Sequence, residues 1–76
     1  MVALLKQTEM IIKINDEVIE TPSDHMTVRD ILEWRNIPEA GTAVAVNDRL
    51  IPRSRWNSEE LHEHDNITLI SAAFGG

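Results

Sequence analysis

The sequence predicts an α+β domain: a mixed sheet of four to five strands packed on one main helix, followed by a flexible C-terminal tail. Three observations lead there. Runs rich in β-branched residues, each closed by a turn pair or a proline, recur along the chain. Only one stretch carries the three-and-four apolar spacing of a helix with one buried face. The 76 residues make one small domain, which buries only ~60% of the surface its unfolded chain exposes. One apolar sheet face covered by one helix is then the economical arrangement, with the first and last strands adjacent at its centre.

Taken in order, residues 1–9 have no period of their own and read as an N-terminal extension, either ragged or a short added strand. Met10-Ile11-Ile12-Lys13-Ile14 is β-branched and runs into Asn15-Asp16, a turn pair; Glu17-Val18-Ile19-Glu20-Thr21 resumes the extended pattern until Pro22. Together they form a hairpin, with Ile12 and Ile14 on one face and Lys13 on the other. Thr27 is a preferred N-cap, and Asp30 supplies a short-armed capping-box partner. Val28, Ile31 and Leu32 give the buried helical face, with Arg29, Glu33 and Arg35 on the wet side. Ile37 precedes Pro38, so the helix ends near Arg35 or Asn36.

Thr42-Ala43-Val44-Ala45-Val46-Asn47 is the clearest strand, followed by an Asn47-Asp48 turn. Leu50-Ile51, stopped by Pro52, is a short edge strand. Residues 53–66 are polar and irregular, with Trp56 and Leu61 as anchors. Ile67-Thr68-Leu69-Ile70-Ser71 is the last strand and runs straight into the tail. The divisions are an extension over 1–9, a domain over 10–71 and a tail over 72–76.

Composition narrows the function. Trp34 and Trp56 are the only aromatics outside the tail, so the core is mainly Ile, Leu, Val and Ala. The absence of cysteine excludes a disulfide scaffold, a thiolate metal site and a cysteine nucleophile. A net charge of −6 argues against nucleic acid and favours a partner with a positive docking surface. Met1–Lys6 is too short an apolar run for a signal peptide or membrane span, so the expected location is cytoplasmic. His62 and His64 alternate with Glu63 near Asp65 and belong to a solvated acidic loop rather than a metal site. Trp56 reads as a lid over the core; Arg53 either holds a neighbouring carboxylate or carbonyl, or meets a partner.

The chain ends in Ala72-Ala73-Phe74-Gly75-Gly76. Two residues without side chains can enter a slot too narrow for a Cβ, and the terminal carboxylate is an anion near pH 7. A frayed end or an added remnant is the plain alternative. Five residues follow Ser71, so an extended tail can project roughly 17 Å beyond the sheet. On the last strand Leu69 points into the core and Ile70 outward. Ile70 beside Ala43 and Ala45 would make a modest apolar docking patch on the sheet face opposite the helix; the alternative is that the N-terminal segment covers Ile70.

The element order, Asn47-x-x-Leu50-Ile51-Pro52-Arg53-x-x-Trp56, the polar stretch closing on Asp65, and the terminal Gly75-Gly76 resemble the ThiS family, from about Met10 to the end. These are ubiquitin-like sulfur carriers of thiamine biosynthesis, with a β-grasp fold. The resemblance implies a non-catalytic carrier that binds no cofactor. A ThiF-type, ubiquitin-activating-like adenylyltransferase would use ATP to adenylate the Gly76 carboxylate. A sulfur donor protein would convert it to a thiocarboxylate, and a ThiG-type thiazole synthase would take the sulfur. Ile70, Ala72, Ala73, Phe74 and Gly75 would meet these partners. The small subunit of molybdopterin synthase and a ubiquitin-like protein modifier are the alternative readings of the same terminus. Two departures stand out. Residues 1–9 lie upstream of where most members begin, making Met10 a candidate start. Glu63-His64-Asp65-Asn66 lacks the glycine that the family commonly places between acidic residues.

Overall fold

The computed structural model describes residues 9–71. The extension over 1–9, except for Glu9, and the tail over 72–76 lie outside the described residues. Among the described residues, five strands and one α-helix follow one another as β1 (Ile11–Ile14), β2 (Glu17–Glu20), α1 (Val28–Trp34), β3 (Thr42–Val46), β4 (Arg49–Ile51) and β5 (Asn66–Ser71). The sheet order is β2-β1-β5-β3-β4, with β1 and β5 parallel at the centre and the remaining pairs antiparallel.

Both hairpins turn on an Asn-Asp pair. Asn15 and Asp16 lie at φ 51° and 69°, and Asn47 and Asp48 at 52° and 68°. Positive φ at both central positions gives the turn whose twist matches that of its strands, and Asn and Asp tolerate it better than other residues with a Cβ. Register follows. Ile12 faces Ile19 and Val44 faces Ile51, keeping the apolar residues of each pair on the helix side.

Helix α1 opens on Thr27, whose hydroxyl accepts from Asp30 N while the Asp30 carboxylate accepts from Thr27 N. Val28, Ile31 and Leu32 are buried against the sheet, as their spacing requires. The helix closes on Asn36 at φ 58°. Ile37 N donates to Leu32 O (2.8 Å) and Asn36 N to Glu33 O (3.1 Å), the bond pair of a left-handed helix stop. That stop is set by Asn36 before Pro38 is reached.

Three features differ from expectation. The core holds Met10 and Met26 beside its Ile, Leu and Val and the expected Trp56, while Ala43 and Ala45 are half-buried on the outer face where their alternation puts them. The bulky flexible methionines fill space that a small aliphatic set leaves open. Second, the loop after β4 begins with a 3₁₀ turn over Arg53–Arg55. It delivers Trp56 into the core, with the indole N–H donating to Ile51 O at 2.8 Å. Third, β2 ends at Glu20, one residue short of Thr21. Thr21 is buried and its hydroxyl accepts from Met10 N (3.1 Å) and donates to Ser23 O (2.6 Å), extending the hairpin by a side chain.

Candidate functional site

Strand β5 positions the site, because it runs through the centre of the sheet and its last residue, Ser71, leads into the terminal pentapeptide. Ile67 is buried and Leu69 packs against the core, so the two-residue period sends Thr68 and Ile70 to the opposite face. Ile70 is 58% exposed there. Pairing places Ala43 beside Ile70 and Ala45 beside both Thr68 and, on the other side, Leu50. Leu50 is 71% exposed. Ile70, Ala43, Ala45 and Leu50 thus form one apolar strip across β5, β3 and β4. The expected patch of Ile70 and the two alanines is present, and it gains Leu50. Sequence reasoning placed Leu50 only on an edge strand. The signal for its direction was the alternation with Ile51, which is buried.

The remaining expected site residues, Ala72, Ala73, Phe74, Gly75 and Gly76, lie outside the described residues. What precedes them is held firmly. At the start of β5, the Asn47 carboxamide accepts from Asn66 N (2.9 Å) and donates to Asp65 Oδ1 (2.9 Å). The largely buried Asp65 carboxylate also accepts from His62 N at 2.7 Å. Further along, the Asn15 carboxamide accepts from Leu69 N (2.8 Å) and donates to Leu69 O (3.3 Å). At the end, Thr42 pairs with Ser71 and is itself tied down, its hydroxyl donating to Pro38 O at 2.6 Å.

Other candidates resolve into structural parts. Arg53 takes the carboxylate option, with Nη2 lying 3.4 Å from Glu39 Oε1; Arg29 Nε reaches Glu39 Oε2 at the same distance. The arginines are exposed and Glu39 is half-buried, and ion pairs near the surface add little stability. Trp34 sits half-exposed on the helix with the Arg35 guanidinium over its ring. Among the described residues, no three His, Asp or Glu side chains converge on a metal position, and no helix is long and apolar enough to cross a membrane.

A five-stranded mixed sheet with parallel central strands, wrapped on one helix and ending in its central strand, is the β-grasp, ubiquitin-like architecture. Within that class the comparisons are specific. The ThiS family pattern matches residues 9–76. The sulfur carrier protein ThiS of Escherichia coli K12 is 31% identical over 67 residues, covering 88% of this chain and 100% of that protein. A crystal structure of the thiamine biosynthesis protein ThiS from Geobacter metallireducens superposes with a TM-score of 0.76. It has 16% identity and covers 88% of this chain and 100% of the other. The chain belongs to the ThiS family.

Proposed function

We propose that this protein carries sulfur for thiazole formation in thiamine biosynthesis, as a thiocarboxylate on Gly76. One observation carries the reading: the family match runs through the last residue and so includes Gly75-Gly76. The name of the Escherichia coli relative, a sulfur carrier, points the same way.

The chemistry suits a chain without cysteine. A carboxylate is a poor electrophile, because its charge is delocalised and its oxygens leave badly. Attack of a Gly76 oxygen on the α-phosphorus of ATP releases pyrophosphate and leaves an acyl-adenylate. Sulfide-level sulfur from a donor protein then adds to the carbonyl and expels AMP. The product is a soft nucleophile tethered to a macromolecule, ready for a thiazole synthase. The carrier itself is not an enzyme and holds no cofactor; ATP and the activating groups belong to a ThiF-type adenylyltransferase. These steps need no membrane or nucleic acid and suit a cytoplasmic setting.

Docking falls to the Ile70, Ala43, Ala45 and Leu50 strip, with Ala72, Ala73, Phe74 and Gly75 leading into the partner. The test is ATP–pyrophosphate exchange with a thiamine-pathway adenylyltransferase, joined to intact-mass analysis of the chain from its host. Exchange, and a terminal oxygen replaced by sulfur, are expected. Gly75→Ala or Gly76→Ala should slow exchange by about 100-fold while the circular dichroism stays unchanged, because an added methyl displaces the reacting carboxylate. Normal exchange by both variants refutes the role of the glycines. Adducts to target lysines in place of sulfur would identify a modifier, and capture of a molybdopterin-synthase large subunit instead of a thiazole synthase would move the carrier to the other pathway.

A further inference from the structure

We propose that Asn15 is a positioning residue for the carrier reaction, whose carboxamide holds the C-terminal half of β5 on line up to Ser71, where the chain leaves the sheet. The proposal deepens the carrier reading and rests on it. Strand β1 stops at Ile14, having paired with β5 only at Lys13–Asn66 and Ile14–Ile67. The last backbone bond on this side is Asn15 N to Ile67 O, at 2.9 Å. Strand β5 continues to Ser71 with β3 along its other side. Its β1-side edge at Leu69 would therefore face water.

The Asn15 side chain meets both backbone groups there, accepting from Leu69 N and donating to Leu69 O. A carboxamide offers the same donor and acceptor as a peptide group, so it continues β1 by one residue without any chain. The turn does not account for this. Glycine or aspartate would also suit the positive φ at Asn15, but only asparagine supplies both a donor and an acceptor. Asn47, at the matching position of the other hairpin, directs its carboxamide to the start of β5. The two turns thus grip the same strand at its two ends.

Nor is the bond required to satisfy Leu69, since these contacts are exposed and water could replace them. Its consequence is directional. Beyond the end of β1 the carboxamide gives β5 hydrogen bonds along both edges, with β3 on one side and Asn15 on the other. Leu69 lies two positions before Ser71, where the described strand ends, and small displacements of a reacting group are costly.

Asn15→Gly removes the carboxamide and keeps the turn; Asn15→Asp keeps the acceptor for Leu69 N and loses the donor. In pyrophosphate exchange with the adenylyltransferase, Asn15→Gly should lower kcat about tenfold with KM for the carrier changed less than about twofold, because the docking strip is intact. Asn15→Asp should fall between Asn15→Gly and wild type. Hydrogen exchange at the Leu69 amide should accelerate in Asn15→Gly. Thr27→Ala, which removes the distant helix cap, should lower the melting temperature and leave kcat unchanged. Wild-type kcat in Asn15→Gly, a change confined to KM, or an equal loss in Thr27→Ala would each overturn the positioning role and leave the carrier reading standing. Absence of exchange in the wild type would overturn both.

Discussion

His64 lies at φ 70°, in the left-handed region. It sits between the acidic residues Glu63 and Asp65 of the last turn. A residue with a Cβ gives up roughly 1 kcal/mol there. The turn keeps it because the bend has work for its neighbours: His64 N donates to Ile11 O at 2.6 Å, Asp65 N donates to His62 O at 3.0 Å, and Lys13 N donates to Asp65 O at 2.9 Å. The imidazole itself is exposed. His64→Gly should therefore raise unfolding free energy by about 0.5 kcal/mol, the relief of strain less the entropy of a freer unfolded chain. Urea denaturation measures it, and a loss of stability would mean that the imidazole contributes more than its backbone costs. The left-handed positions at Asn15 and Asn47 were legible because the Asn-Asp pairs announce turns. Nothing in a histidine announces one.

At the scale of elements, the seven-residue helix α1 is too short to persist by itself, since isolated helices under about 12–15 residues are marginal in water. Its first three amides are all met. Val28 N donates to Glu59 O (3.0 Å), Arg29 N to Trp56 O (3.1 Å) and Asp30 N to the Thr27 hydroxyl (3.2 Å). Two of the three acceptors come from the loop after β4, which a Leu61 N to Met26 O bond (2.9 Å) also ties to the approach to the helix. Thr27→Ala should lower stability by about 1 kcal/mol, the usual cost of a lost side-chain cap, read as a lower urea midpoint with an unchanged slope. No change in midpoint would show that the loop carbonyls suffice. The cap, the buried face and the strands could be read from sequence because each is local and signalled by side chains. The loop's role could not, because backbone carbonyls have no residue signature and their partners lie far away along the chain.

For the whole molecule, the sheet divides its two faces by the period of two. One face is sealed by α1, Met10, Met26, Trp56 and Leu61. The other offers Ile70, Ala43, Ala45 and Leu50 beside the strand that leads to Gly76. The Ile70 end of this surface was legible from the alternation in the last strand. Its continuation to Leu50 needed the β3–β4 register, which places Leu50 beside Ala45. On the proposed reading, an exposed apolar strip beside the strand that leads into the C-terminus holds the partner, and a net charge of −6 speeds the encounter with a basic surface. Leu50→Glu and Ile70→Glu should each weaken binding to the adenylyltransferase by about tenfold or more, or ~1.4 kcal/mol. Their melting temperatures should stay near wild type, because both side chains already face water. Ile51→Glu is the contrast: one residue from Leu50 but buried, it should unfold the domain by placing an unpaired charge in the core. Calorimetric titration separates the cases. Wild-type affinity in both surface variants would move docking to another part of the molecule, whatever the chemistry at Gly76.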